Sequence, residues 1–290
     1  MVALHTILCP VDFSDATTRQ VALAASLARL YGARLVLHHN MNAPSPGAGV
    51  GWMWSADHQP LSQESVGQRF EALIAETAPG LDVDLRITEG PASSAVLAIS
   101  DAVNADLVVL STHRATTDEH TSVTASVLEH TRRSVLALHD ACVEPHALTF
   151  DLSSGYPQVT LVPTDLTLES SAAVDFAFEL ARTLPLELHL LHFTPGGAGV
   201  HRQEGAGADA ETALRALIPD DFAERAHVHL REGDPGPGIV QAASDLAASC
   251  IVMGEHTRAP LRRWFSHDTS RGVLHEAPCP VWYVSGQTAA

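Results

Sequence analysis

The chain has 290 residues, 46% of them hydrophobic, and a formal charge of −17. That length suits two domains of about 140 residues, each with apolar residues enough for a core of its own. The acidic balance argues against a nucleic-acid partner, since phosphate backbones demand clustered cations, and all 17 basic residues are arginine, which excludes a Walker-type phosphate lysine, a Schiff-base lysine and a lysine general base.

No apolar run reaches the roughly 18 residues that a membrane span requires. Met1-Val-Ala-Leu-His5 leads straight into a strand-like run, so the expectation is a cytoplasmic protein with no signal peptide and no membrane partner. Cys9, Cys142, Cys250 and Cys279 lack CxxC spacing. Buried free thiols are expected of them rather than disulfides.

Strands and helices alternate from the start. The β-rich run 5–11 precedes a helix near 15–31, whose Val21, Leu23, Ala24, Leu27, Ala28 and Leu30 recur at helical spacing. A strand near 34–39, a helix near 62–77 and a strand near 82–88 follow. Pro91, just after Gly90, suits the first turn of a helix over 91–104. An apolar strand 106–111, a helix near 122–131 and a strand 134–139 come next. The remainder repeats the order, with strands near 158–163, 187–193, 226–231, 250–254 and 280–284 and helices near 168–183, 208–218, 235–248 and 267–276.

The repetition extends to residues. Thr6-Ile-Leu-Cys-Pro-Val-Asp12 returns as Val159-Thr-Leu-Val-Pro-Thr-Asp165, at an offset of 153 that also pairs Ala28 with Ala181, Arg29 with Arg182 and His39 with His192. Leu107-Val-Val-Leu-Ser-Thr-His113 returns as Cys250-Ile-Val-Met-Gly-Glu-His256 at an offset of 143. The chain reads as two copies of one domain, 1–142 and 158–290, joined by a linker over 143–157. Five strands with helical crossovers in each copy imply an α/β fold of two doubly wound parallel sheets, covered on both faces. The Pro- and Gly-rich segment 43–60, with Trp52 and Trp54, and the segment 194–208 are expected to be loops beside one edge of the site.

Ile7-Leu-Cys-Pro-Val-Asp-Phe-Ser14, Asp106-Leu-Val-Val-Leu-Ser-Thr-His113 and Ala277-Pro-Cys-Pro-Val281 resemble the universal stress protein family, as two tandem copies spanning nearly the whole chain. The resemblance implies five-stranded domains of the adenine nucleotide α-hydrolase-like type, with an adenine-nucleotide site, for ATP or a relative of it, at the carboxyl ends of strands one and four. An open α/β sheet binds ligands at that place on topological grounds. In nucleotide-binding members the aspartate after strand one contacts the adenosine. A Gly-x-x-Gly, nine residues and Gly-Ser/Thr then wrap the phosphates, with backbone N–H groups and a helix N-terminus facing the anion. The resemblance also implies that the two copies pair through their last strands, Ser134-Val-Leu-Ala-Leu138 and Pro280-Val-Trp-Tyr-Val284, as a pseudo-dimer within one chain, and that two chains can associate as a homodimer.

Each copy departs from that pattern differently. In the first, Ser111 and Arg114 replace the loop glycines, Thr121-Ser122 replaces Gly-Ser, and six residues separate Arg114 from Thr121. Arg114 offers a guanidinium to a phosphate. The second copy keeps Gly254 and the spacing, but Thr257 replaces the second glycine and His267-Asp268 replaces Gly-Ser. The carboxylate of Asp268 opposes an anion at a helix start while suiting a helix cap, and Arg258, Arg262 and Arg263 supply cations to offset it. Candidate binding residues are thus Pro163, Asp165, His192, Met253, Gly254, Thr257, His267 and Asp268 in the second copy, and Asp12, His39, Ser111, Arg114, Thr121 and Ser122 in the first.

Asp12 and Asp165 also read as turn formers or caps, with Ser14 and Thr167 sharing that work, but their recurrence at one register tilts the reading toward a ligand. His113 and His256 read as residues that fix a loop. The 17 histidines include no HxxxH pair, so a scattered distribution with no metal site is the expectation. The composite reading is a tandem stress-response or regulatory module with degenerate adenine-nucleotide sites. Its alternatives are an ATP-binding protein with weak ATP hydrolysis at one site, and a dimerising scaffold without ligand.

Overall fold

The structure, a computed structural model, describes residues 3–41, 62–112, 123–139, 157–194, 206–254 and 267–285. Ten strands form one sheet in the order β3-β2-β1-β4-β5-β10-β9-β6-β7-β8. In the first half they are β1 (Thr6–Pro10), β2 (Arg34–Met41), β3 (Val83–Glu89), β4 (Leu107–Thr112) and β5 (Ser134–His139). The second half contributes β6 (Gln158–Pro163), β7 (Leu186–Thr194), β8 (Ala226–Glu232), β9 (Cys250–Gly254) and β10 (Val281–Val284). Pairing is parallel within each half. It is antiparallel at the β5–β10 seam, where the halves meet.

The seam has the form of a two-fold contact. Val281 lies opposite Ala137, Trp282 opposite Leu136 and Tyr283 opposite Val135. Val135 pairs with Val108 of β4 as Val281 pairs with Ile251 of β9, so Val135 and Val281 are equivalent and the Leu136–Trp282 pair lies at the centre. Both β5 and β10 are apolar, and each removes the other's exposed edge. The intrachain pairing expected from the family resemblance is the pairing observed.

Helices lie on both faces. The first half supplies α1 (Thr17–Tyr31), α2 (Gln63–Thr77), α3 (Ala92–Ala102) and α4 (Val123–His130). The second supplies α5 (Leu168–Thr183), α6 (Ala206–Ala216), α7 (Pro235–Asp245) and α8 (His267–Glu276). Strand side chains alternate between the faces, and the core follows them. Ile7, Leu35 and Trp282 join α1, α2, α5 and α6 in one cluster. Leu8, Val36 and Tyr283 join α3, α4, α7 and α8 in the other. Each cluster therefore runs through both halves, in place of the one core per half that length alone suggested. Seam burial welds the copies: Trp282 is fully buried against Phe176 of α5, ring centroids 4.9 Å apart.

The copies share their backbone exceptions as well as their strands. Phe13 and Leu166, at the same register, have φ of 58° and 60°. Asn104 and Ala247 have 49° and 48°, and Gly90 and Gly233 have 105° and 122°. Among the described residues no helix is long and apolar enough to cross a membrane. Cys9, Cys250 and Cys279 are buried free thiols, as expected, and burial pushes the Cys9 thiol far up. Cys142 and residues 143–156 of the proposed linker fall outside the described residues.

Candidate functional site

In each half the first and fourth strands part toward their carboxyl ends, the place where a doubly wound sheet has its crevice. The β1–β4 ladder pairs Ile7 with Leu107 and Leu8 with Val108, and the β6–β9 ladder pairs Thr160 with Cys250 and Leu161 with Ile251. Both first strands then reach a proline, Pro10 or Pro163, which has no N–H to continue a ladder. The next helix crosses to one face while the fourth strand's helix takes the other. This is the topological switch point of a doubly wound sheet.

The turn after each proline is fixed by the aspartate. Asp12 Oδ1 accepts the Ser14 backbone N–H at 2.9 Å and the Thr17 hydroxyl at 3.0 Å. Asp165 Oδ1 accepts the Thr167 N–H at 3.1 Å and its hydroxyl at 2.5 Å. Thr167 in turn caps α5 through a capping box with Ser170. The turn-forming reading of both aspartates is therefore realised in the hydrogen bonds. Between each aspartate and its helix stands a bulky residue at positive φ, Phe13 or Leu166, a conformation that costs on the order of 1–3 kcal/mol and collects at binding sites.

The paired histidines brace the same turns from the end of the second strand. His39 Nδ1 lies 2.7 Å from the Val11 carbonyl oxygen, and His192 Nδ1 lies 2.9 Å from that of Thr164. A carbonyl oxygen only accepts, so Nδ1 carries the proton in both rings. His39 also packs on Phe13, centroids 4.8 Å apart, and Phe13 contacts Phe70 at 5.2 Å and the Arg69 guanidinium at 5.6 Å.

The crevices differ at one buried position that the sequence patterns did not single out. Gln20 of α1 donates its amide to the Pro10 carbonyl at 2.7 Å and the Val109 carbonyl at 2.8 Å, and its Oε1 accepts from the Ser111 hydroxyl at 3.1 Å. It bridges β1 and β4 where their ladder has failed. The residue at that register in the second half is Ala173, fully buried and without a polar atom to bridge β6 and β9. A polar residue at a helical position otherwise apolar in both copies (Val21/Val174, Ala24/Ala177, Leu27/Leu180) was the signal available for Gln20.

The structure brings together Asp12, His39 and Ser111 at the first crevice, and Pro163, Asp165 and His192 with the buried Met253 and Gly254 at the second. His267 and Asp268 open α8, their side chains outside the described residues. Arg114, Thr121, Ser122, Thr257, His113, His256, Trp52, Trp54, Arg258, Arg262 and Arg263 also lie outside the described residues.

These features define the class: an α/β tandem with two equivalent switch-point crevices, each closed at its base by an aspartate turn and a histidine brace. The universal stress protein family model matches residues 3–139 and 158–285, and the chain belongs to that family as a tandem pair. A universal stress protein from Archaeoglobus fulgidus DSM 4304 has the same fold, with 16% identity, 98% of each chain covered and a TM-score of 0.66. A putative universal stress protein from Pseudomonas aeruginosa UCBPP-PA14 is similar at 15% identity, with 97% of this chain and 93% of that one covered and a TM-score of 0.65. No curated protein matches the chain.

Proposed function

We propose that this protein is a cytosolic stress-response module that binds an adenine nucleotide in its second-half crevice. The observation that carries the assignment is the exchange of Gln20 for Ala173. In the first half the Gln20 amide already takes the carbonyls of Pro10 and Val109. In the second half Ala173 has no polar atom for such a bridge, and in this reading the strand-end backbone of β6 and β9 serves the ligand instead. Asp165, its turn fixed by Thr167, is the residue that contacts the adenosine in this reading. Gly254, at the end of β9, admits close backbone approach of the nucleotide. The first half acts as the partner domain, tied in through the β5–β10 seam.

Equilibrium dialysis with labelled ATP, ADP and AMP tests this reading. The expected result is one saturable site per chain at physiological nucleotide concentration. Absence of saturable binding for all three nucleotides removes it, and supports the ligand-free scaffold instead.

A further inference from the structure

A second cluster of polar side chains lies away from both crevices, on the outer two strands of the second half. Glu187 and His189 stand two apart on β7, and His227 and His229 two apart on β8, so each pair faces one side of the sheet. The β7–β8 register sets His189 directly opposite His227 and Leu191 opposite His229. The ligating atoms of Glu187, His189 and His227 converge within 4.8 Å of one another. Glu187 Oε1 is 2.9 Å from His227 Nε2 and 3.3 Å from His189 Nε2. A tetrahedral zinc ion with ligands at about 2.0–2.1 Å sets its donor atoms about 3.3 Å apart; the two separations from Glu187 Oε1 are close to that edge, and the third, between the rings, lies within 4.8 Å.

The rest of the arrangement is what a ligating histidine requires. His189 Nδ1 lies 2.8 Å from His229 Nε2. With Nε2 on an ion, His189 keeps its proton on Nδ1 and donates it to His229, the outer-shell bond that fixes tautomer and ring direction. Arg231, two residues beyond His229 on β8, is paired with Asp245 at 2.8 Å.

The first half shows what this corner looks like when its charge is met from within the chain. Arg34, Val36, Asp84 and Arg86 occupy the registers of Glu187, His189, His227 and His229. There Asp84 is bonded by Arg34 and, at 2.8 Å, by Arg86. In the second copy both guanidiniums are gone, one replaced by a carboxylate and one by an imidazole, and the central carboxylate has become an imidazole.

We propose that Glu187, His189 and His227 bind a divalent transition cation of the zinc type, with His229 as the positioning residue and a fourth position open to water. Without the ion, His189 Nε2 bonds Glu187 Oε1 at 3.3 Å, and His227 Nε2 lies 2.9 Å from the same oxygen. On binding, Nε2 of each ligating ring turns its lone pair to the ion and the ring's proton stands on Nδ1, while His229, now the acceptor from His189 Nδ1, carries its own proton on Nδ1. Glu187 and His227 are part exposed, which gives the ion an entry path.

The test is titration of the full chain with zinc chloride, and separately with cobalt chloride read by its visible d–d absorption. The expected result is one tight equivalent per chain with tetrahedral-type cobalt bands. His227→Gln and Glu187→Gln each weaken it roughly tenfold or more, while His130→Gln, an exposed position on α4, leaves it unchanged. Exchanging three of these four positions for their first-half residues (Glu187→Arg, His227→Asp, His229→Arg) keeps the corner paired and abolishes the site. No saturable site in the wild-type chain, or unchanged affinity in the triple variant, overturns the proposal.

Discussion

Nδ1 of His39 donates to the backbone carbonyl of Val11 at 2.7 Å, and His192 repeats the contact on Thr164 at 2.9 Å. The histidine common to both copies is thus a brace for the residue before the aspartate. His39→Ala leaves a carbonyl without its donor in a buried site, and a loss of about 1–3 kcal/mol follows, added to the lost contact with Phe13. Urea unfolding measures it. A loss under about 0.5 kcal/mol, the range of ordinary surface changes, contradicts the bracing role.

His38, one residue earlier, is an acid-sensitive point. Burial first, and His39 second, lower its pKa from 6.5 to about 4. Between those values the unfolded chain binds a proton that the folded chain refuses. Its contribution is therefore full above about pH 6.5 and declines as pH falls toward about 4. Leu191 holds this register in the second half. His38→Leu should narrow the stability difference between about pH 7 and pH 5 by on the order of 1 kcal/mol. An unchanged difference in urea midpoints at the two pH values contradicts it.

The seam makes a prediction about cooperativity. Trp282 is fully buried at the centre of the β5–β10 pair and packs on Phe176, so Trp282→Ala is expected to cost about 3–5 kcal/mol. Because both hydrophobic clusters run through both halves, the wild-type chain should melt in one calorimetric transition. Two resolved transitions in the wild type, or a Trp282→Ala variant that melts only one half, contradict a shared core.

Element positions and the parallel, doubly wound class were legible because periodicity and the repeat reinforce each other: Pro10/Pro163 and Asp12/Asp165 mark the same strand end twice. Three features were not. Gln20 looks like an ordinary polar residue on α1 until the parting of β1 and β4 gives its amide two carbonyls to hold. The division of the core by face depends on β5 meeting β10, a contact between positions far apart in the chain. The corner at Glu187, His189, His227 and His229 joins two E-x-H and H-x-H alternations that only the β7–β8 register brings together. A search for helical HxxxH spacing passes over strand ligands at two-residue spacing.

The crevice assignment rests on one exchanged residue, and the exchange can be reversed. Calorimetric titration of ATP into the wild type, Asp165→Ala, Asp12→Ala and Ala173→Gln is the most direct measurement. The account predicts wild-type affinity in Asp12→Ala, and a loss of roughly tenfold or more in Asp165→Ala and Ala173→Gln, about 1.4 kcal/mol each. Affinity that falls with Asp12→Ala and is untouched by Asp165→Ala and Ala173→Gln would contradict it, and place the nucleotide in the first half.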